Sequence, residues 1–200
     1  MKRTLALIAL SLSLVACGVD KTGLSAESAR GPAGNPNAVV TVMEFADLQC
    51  PACKSAHDLL QKPLLEKYGT QISYEFRHFP LQTIHQYALD LAMGSECAAD
   101  QGKFWEFVDV AYTQQDQLVK LGRQAPGTWA ESLALDRALF DRCVASRIKK
   151  DTVLADYDQG IKLGVQGTPT FFVNGVKTAS TLDALSKAIE AGVGNAATKF

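Results

Sequence analysis

A Cys-Pro-Ala-Cys sequence at residues 50–53 narrows the possible folds of this chain more than any other feature. The segment before it, Ala38–Phe45, is a nearly continuous apolar run rich in β-branched side chains, which predicts a strand covered on both faces. From Pro51 onwards apolar residues recur at the spacing of one helical face, and Pro63 should bend or split that helix. The two cysteines are therefore expected where a buried strand turns into a helix.

Two cysteines at this spacing can bind a metal, close a short structural bridge, or carry out thiol–disulfide exchange. Zinc usually takes four ligands, and the sequence contains no second Cys-x-x-Cys and no His-x-x-x-His. Cys50 would lie at a helix N-terminus, where the helix dipole lowers a thiol pKa from about 8.5 to roughly 3.5–7.5. Cys53, one turn inside, would be the resolving thiol. The position favours redox chemistry, with a purely structural bridge as the alternative.

The remaining pattern predicts one α/β domain. An alternating strand spans residues 71–79, followed by a long block of helical periodicity in which "QAPGTWAES" is expected to be a break with Thr128 as an N-cap. Asn174-Gly175 between apolar runs predicts a type I′ hairpin, and a final helix follows it. This order predicts a mixed sheet with helices on both sides.

The formal net charge of −1, without a basic stripe, argues against a nucleic-acid partner.

The N-terminus predicts export. Lys2 and Arg3 precede an apolar run that ends at Ala16 and is too short to span a bilayer stably, as in a secretory signal. Leu14–Cys17 resembles the bacterial lipobox, which implies a signal peptide at residues 1–16 and a lipid on Cys17. An ordinary signal peptide cut nearby is the alternative. Residues 17–36, rich in Gly, Ala, Ser and Pro, are then expected to form a flexible, lipidated tether to a membrane.

The chain has five cysteines, and an odd number in an exported protein needs an explanation. A lipid on Cys17 and redox chemistry at Cys50 and Cys53 leave Cys97 and Cys143, which both lie in segments of helical pattern. We predict that these two form a structural disulfide, because disulfides persist outside the cytoplasm. Two separately buried free thiols are the alternative.

Two motifs together resemble a known family. "EFADLQCPAC" and "GVQGTPTFFVNG" are similar to motifs of the DsbA-like thiol–disulfide oxidoreductases, a group within the thioredoxin superfamily. The resemblance covers about residues 37–200. It implies a thioredoxin fold, with a mixed central sheet and flanking helices, carrying an inserted helical domain at about residues 80–164.

The resemblance also implies roles for three further residues. Thr168 and Pro169 match the cis-proline loop that lies beside the cysteine pair and binds substrate backbone; an ordinary proline at the start of a strand is the alternative. Glu44 matches a buried acid that exchanges protons with the inner cysteine, unless it is a solvated residue at the strand end. His57 matches no functional position of the family and is expected to face solvent.

These observations predict a dithiol oxidase of secreted or envelope proteins that contain cysteines. It would work in the periplasm or cell envelope as a lipid-anchored monomer without cofactor or metal, re-oxidised by a membrane redox partner. Ala52 stands where strongly oxidising members carry histidine, so we expect a less oxidising enzyme. A reductase or isomerase of the same fold is one alternative. A non-catalytic, copper-binding thioredoxin-like lipoprotein is the other.

Overall fold

The computed structural model describes residues 19–197 of the chain. The predicted signal peptide, residues 1–16, and the predicted lipidation site, Cys17, lie outside the described residues and stay predictions. Within the described part, no helix has both the length and the apolar character needed to cross a bilayer.

Five strands within residues 19–197 form one mixed sheet, in the order β1-β3-β2-β4-β5. They are β1 (Ala33–Gly34), β2 (Val40–Ala46), β3 (Ile72–His78), β4 (Thr170–Val173) and β5 (Val176–Thr178). The β2 and β3 strands run parallel, whereas the β1–β3, β2–β4 and β4–β5 pairs are antiparallel. The predicted thioredoxin fold with a mixed sheet is confirmed.

The central strand β2 is buried because its apolar side chains pack on both sides of the sheet. Val40 and Val42 are fully buried in a cluster with Leu64, which follows the cysteine pair, and Ile189 near the C-terminus. Phe45, from the same strand, packs in a separate cluster against Phe79 and other aromatic residues. Burial on both faces explains the continuous apolar run of this strand.

The helix that begins at the cysteine pair changes its winding halfway along. Helix α1 (Pro51–Ala56) leads into a π-helical segment at His57–Gln61, which continues as α2 (Lys62–Tyr68). Pro63 has no N–H to donate to the carbonyl one turn earlier, and a widened turn directly before it accommodates that loss. Pro63, predicted to bend or split the helix, is therefore preceded by a π-helical segment within one continuous helical stretch.

A helical insertion separates β3 from β4. Its helices are α3 (Ala88–Ala99), α4 (Phe104–Thr113), α5 (Leu118–Leu121), α6 (Ala125–Ser132), α7 (Arg137–Ser146) and α8 (Lys150–Lys162). The insertion has its own core, in which Trp129 packs against Phe107, and Phe107 against Phe140.

The break expected at "QAPGTWAES" is wrong, because helix α6 runs through this segment. Pro126 lies in its first turn, where a missing N–H costs nothing. Thr128 is not an N-cap: its hydroxyl donates to the carbonyl of Gln124 (3.2 Å) inside the helical stretch.

The hairpin prediction is confirmed, since Asn174 and Gly175 connect β4 to β5 with φ of 47° and 79°.

The prediction of a flexible tether is wrong for residues 20–36. Side chains of the insertion bind this segment through its backbone carbonyls, with Lys149 Nζ donating to Glu27 (2.6 Å) and Trp105 Nε1 donating to Gly31 (3.0 Å). The side chain of Arg30 is 9% exposed and forms ion pairs inside the domain. Composition failed here because the segment is held by contacts with distant residues, which its own composition does not reveal.

Candidate active site

The cysteine pair lies where strand β2 gives way to helix α1. Cys50 is the N-cap residue, with extended backbone angles, and Pro51 starts the helix with its ring-fixed φ. The N–H groups of Cys53 and Lys54 each donate to the Cys50 carbonyl (3.1 Å). Cys50 keeps 7% of its surface exposed and Cys53 none, and both are free thiols in the structure. Only the outer sulfur is therefore within reach of another protein.

The outer thiol is strongly acidic. The hydrogen bond with the Cys53 side chain is the largest influence and, with help from Thr168 and the N–H groups of α1, lowers the pKa of Cys50 from 9.0 to about 5. Partial burial opposes this effect without cancelling it. Cys50 therefore exists mainly as the thiolate at neutral pH, and the thiolate is the form that attacks disulfides and departs from them.

The acidity of Cys50 predicts a measurable titration. We expect the thiolate absorbance of the reduced protein near 240 nm to rise with a midpoint near pH 5. Cys53→Ala should move this midpoint upward because it deletes the largest lowering interaction, whereas Cys53→Ser keeps a donor and should move it less. A wild-type midpoint near the ordinary thiol value of 9.0 would contradict this description of the site.

The loop before β4 lies beside the outer cysteine. The Thr168–Pro169 peptide bond is cis, and the carbonyl oxygen of Thr168 lies 3.6 Å from Cys50 Sγ, where it accepts a hydrogen bond from the protonated thiol. The buried Thr168 hydroxyl has no hydrogen-bond partner among residues 19–197. The structure thus brings together Cys50, Thr168 and Pro169, from opposite ends of the sequence.

An apolar groove runs from this loop along helix α1. It has a volume of about 410 Å³, and its lining includes Ala52, Leu59, Leu60 and Pro169. Leu59 is 67% exposed, although a large aliphatic side chain is usually buried in a monomer's core. The groove therefore offers an apolar side chain of another molecule a place next to the Cys50 sulfur.

The inner thiol lies in a buried and partly acidic environment. Burial raises the pKa of Cys53 well above its ordinary value, and the charge of Glu44 raises it further. Glu44 is 2% exposed, so the alternative of a solvated residue at the strand end is wrong. Tyr74 donates its hydroxyl proton to Glu44 Oε2 (2.7 Å), but burial dominates and raises the pKa of Glu44 to about 7. Such a carboxyl group can take up and release a proton at neutral pH.

His57 does not face solvent as expected: it is 5% exposed. Its Nε2 lies 3.0 Å from Asp109 Oδ1, its Nδ1 contacts Gln61 Oε1, and its ring lies against Tyr112 at a centroid distance of 5.0 Å. Asp109 and Tyr112 belong to α4 of the insertion, which covers this side of the helix after the cysteine pair. A helical pattern alone cannot show that a second helix will cover a polar position.

Cys97 and Cys143 are joined by a disulfide (S–S 2.05 Å) that links α3 to α7 within the insertion. Both are buried, at 1% and 2% exposure. This bridge is a separate feature from the Cys50–Cys53 pair. Within residues 19–197, no group of three or more His, Cys, Asp or Glu side chains could hold a metal ion. Cys50 and Cys53 therefore have no third ligand of these types beside them.

Two polar residues near the pair were missed by the sequence reasoning. Gln115, which precedes α5, is 7% exposed and donates its side-chain N–H groups to the carbonyls of Leu48 (3.0 Å) and Cys50 (3.2 Å). Asp47 is 2% exposed and donates its backbone N–H to Cys53 Sγ at 3.5 Å. Asp47 could have been noticed as a charged residue at the end of a buried strand, whereas nothing in the sequence marks Gln115.

Comparison with known proteins places this geometry in context. A family model described as Thioredoxin matches residues 29–191. The crystal structure of α-DsbA1 from Wolbachia pipientis is similar over 84% of this chain and 92% of its own, with a TM-score of 0.74 and 26% identity. BdbD from Bacillus subtilis, in its oxidised form, shares the fold with a TM-score of 0.71 and 21% identity, over 83% of this chain and 94% of its own.

Similar curated sequences belong to much longer proteins. A Na(+)/H(+) antiporter NhaA 3 of Salinispora tropica is 38% identical over 162 residues, which is 80% of this chain and 24% of the antiporter. A Na(+)/H(+) antiporter NhaA 1 of Mycolicibacterium gilvum is 34% identical over 167 residues, or 80% and 26%. The chain thus spans about a quarter of the length of these relatives.

Proposed function

The chain belongs to the thioredoxin family, and from this premise we propose that it is an extracytoplasmic thiol–disulfide oxidoreductase acting through Cys50 and Cys53. One observation carries the proposal: a thiol with a pKa of about 5 keeps 7% of its surface exposed and is paired with a fully buried thiol whose pKa is raised. A structural bridge would need no such difference between its two sulfurs. An exchange enzyme needs it, because one sulfur meets clients while the other closes the cycle.

The proposed direction is oxidation of client proteins. A client thiolate attacks Cys50 Sγ of the oxidised pair, the S–S bond breaks, and its electron pair stays on Cys53, which takes up a proton held by Glu44. A second client thiolate then attacks the client sulfur of the mixed disulfide. The client disulfide forms and Cys50 leaves as a thiolate. Two electrons have passed to the enzyme, and a membrane redox partner of higher potential takes them away.

The low pKa of Cys50 supports this direction, because a stabilised thiolate is a good leaving group and favours the reduced enzyme. Ala52 argues in the other direction. Its exposed side chain offers no polar hydrogen bond to the sulfur, and only its backbone N–H contributes, so a reductase or isomerase kept reduced by a membrane carrier is the second candidate. Ion transport, the activity in the names of the much longer antiporter relatives, is not part of the proposal.

Clients are proposed to be secreted or envelope proteins with cysteines in extended, incompletely folded segments. The apolar groove beside Pro169 would hold a client side chain, and the backbone near Thr168 would hold the client main chain next to its cysteine. A periplasmic or envelope location and a lipid on Cys17 complete the proposal, since the enzyme would then meet its clients as they leave the membrane.

The test combines oxidation of a model client with the redox state in the cell. We expect the oxidised protein to transfer its disulfide to reduced ribonuclease at least about tenfold faster than glutathione disulfide does at equal concentration. Alkylation of thiols trapped in living cells should find the pair mostly oxidised. A pair found mostly reduced would reverse the direction to reductase or isomerase, and no transfer to any client would end the proposal.

A further inference from the structure

The carboxylate of Asp47, at the end of strand β2, is buried and fully hydrogen-bonded. Its side chain is completely inaccessible to solvent. Oδ1 accepts the N–H of Gln49 (2.8 Å), and Oδ2 accepts the N–H of Leu81 (2.9 Å) and lies 2.8 Å from Nδ1 of His85. The proposed exchange reaction, as described above, gives none of these groups a role.

The same residue also contacts the inner sulfur. The backbone N–H of Asp47 donates to Cys53 Sγ at 3.5 Å, well within the distance of a hydrogen bond to sulfur. An N–H donated to sulfur favours the thiolate over the thiol. The three contacts of the carboxylate fix the orientation of the residue, and therefore the direction of its N–H. The contact with Cys53 is thus held from two segments, the turn before α1 and the loop between β3 and α3.

His85 is the outer end of this arrangement. Its side chain is 16% exposed, whereas that of Asp47 is 0% exposed. The histidine belongs to a loop that reaches solvent, since its neighbour Ile84 is 71% exposed. His85, close to the surface, thus contacts the buried Asp47 carboxylate, and the backbone N–H of Asp47 contacts the Cys53 sulfur.

We propose that Asp47 and His85 are positioning residues for Cys53, holding the Asp47 N–H on its sulfur during exchange. The inference rests on the proposed function and deepens it. When the Cys50–Cys53 bond breaks, the electron pair goes to Cys53 Sγ and this N–H stabilises it. In the reverse step the Cys53 thiolate attacks Cys50 Sγ of a mixed disulfide, the client sulfur leaves with its electron pair, and the same N–H keeps the attacking sulfur in place.

Two substitutions disturb the arrangement differently. Asp47→Asn replaces one acceptor oxygen by a donor nitrogen, which cannot accept from Gln49, Leu81 or His85. His85→Phe removes the donor to Oδ2, whereas His85→Gln keeps an N–H donor of similar reach. The control is Asp116→Asn, because Asp116 is 88% exposed and pairs with Lys54, the residue after Cys53.

The measurement is the single-turnover release of glutathione from a Cys50–glutathione mixed disulfide by Cys53. We expect Asp47→Asn and His85→Phe to slow release about tenfold, the size of one lost hydrogen bond, and His85→Gln and Asp116→Asn to stay within about twofold of wild type. In a Cys53→Ala background, attack of Cys50 on glutathione disulfide should be unchanged by either substitution at Asp47 or His85.

Unchanged release in both Asp47→Asn and His85→Phe would overturn the inference. Equal slowing of the Cys50 attack would overturn it too, since that result means a general distortion of the site. If Asp47→Asn fails to fold, the comparison of His85→Phe with His85→Gln decides the question. In a Cys50→Ala background, the Cys53 titration should move upward in His85→Phe; this readout needs no client, so it stays informative even if the proposed function fails.

Discussion

Cys50→Ser is expected to reduce disulfide exchange to the uncatalysed background. A thiol with a pKa of about 5 is about 99% thiolate at pH 7, against about 3% for a thiol at 8.5, and a serine hydroxyl is not ionised at all. Cys53→Ser should behave differently: its Cys50 thiolate can attack a disulfide of a partly oxidised client, one client sulfur leaves as a thiolate, and the mixed disulfide should accumulate because no second enzyme thiol resolves it. The measurement is ribonuclease oxidation, with mixed disulfides separated on non-reducing gels.

The second cysteine pair provides the matched control for this result. Cys97 and Cys143 are bridged and buried in the insertion, so replacing both with alanine should reduce stability but leave exchange per folded molecule close to wild type. A Cys50→Ser protein that still oxidises ribonuclease would contradict the assignment. Exchange that is lost with Cys97 and Cys143 instead would place the reactive disulfide in the insertion.

What the sequence revealed about the site was local. Cys50, Cys53 and the strand before them are adjacent in the chain, and a strand that runs directly into a proline-started helix fixes where the pair lies. Asn174-Gly175 fixes a hairpin by the positive φ that both residues adopt. In each case the residues that create the structure are neighbours, so the pattern of one short segment is enough.

The parts that escaped prediction depend on contacts between distant segments. His57 looks like a surface residue on its own helix, and only the approach of Asp109 and Tyr112 makes it a buried one. Gln115 holds the turn before α1 from a segment far along the chain. The composition or periodicity of one segment does not indicate such partners. His57 and Gln115 nevertheless lie close to the cysteine pair and form part of its surroundings.

The N-terminal segment illustrates the same limit and has an energetic consequence. Arg30 forms ion pairs with Glu96 of α3 and Asp156 of α8, and the side chains of these acids are 0% and 8% exposed. Burial alone would raise the pKa of Glu96, but a hydrogen bond with His78 and the nearby positive charges outweigh it and lower the pKa to about 2. The lowered pKa stabilises the fold above the ordinary value of 4.5, and this stability is lost as pH falls towards 2.

Arg30→Met should therefore destabilise the protein by about 3–5 kcal/mol, because it leaves two buried carboxylates without their common partner. Urea unfolding at pH 7 measures the change. Without the arginine charge the pKa of Glu96 should also rise, which moves the acid-unfolding midpoint to higher pH. Residues 20–36 are bound both to the insertion and to strand β3. A substitution that weakens the binding of this segment should therefore destabilise both parts of the domain.

Arg137→Met is the control, because Arg137 pairs with Asp141 on the same helix with both side chains about half exposed, at 47% and 54%. Such a pair contributes less than about 1 kcal/mol. If Arg30→Met costs no more than this control, the segment is held mainly by its other contacts, such as the pairing of β1 with β3 and the bond from Lys149 to Glu27. If the large loss is found, the buried ion pairs of Arg30 are a main fastening of the N-terminal segment to the folded domain.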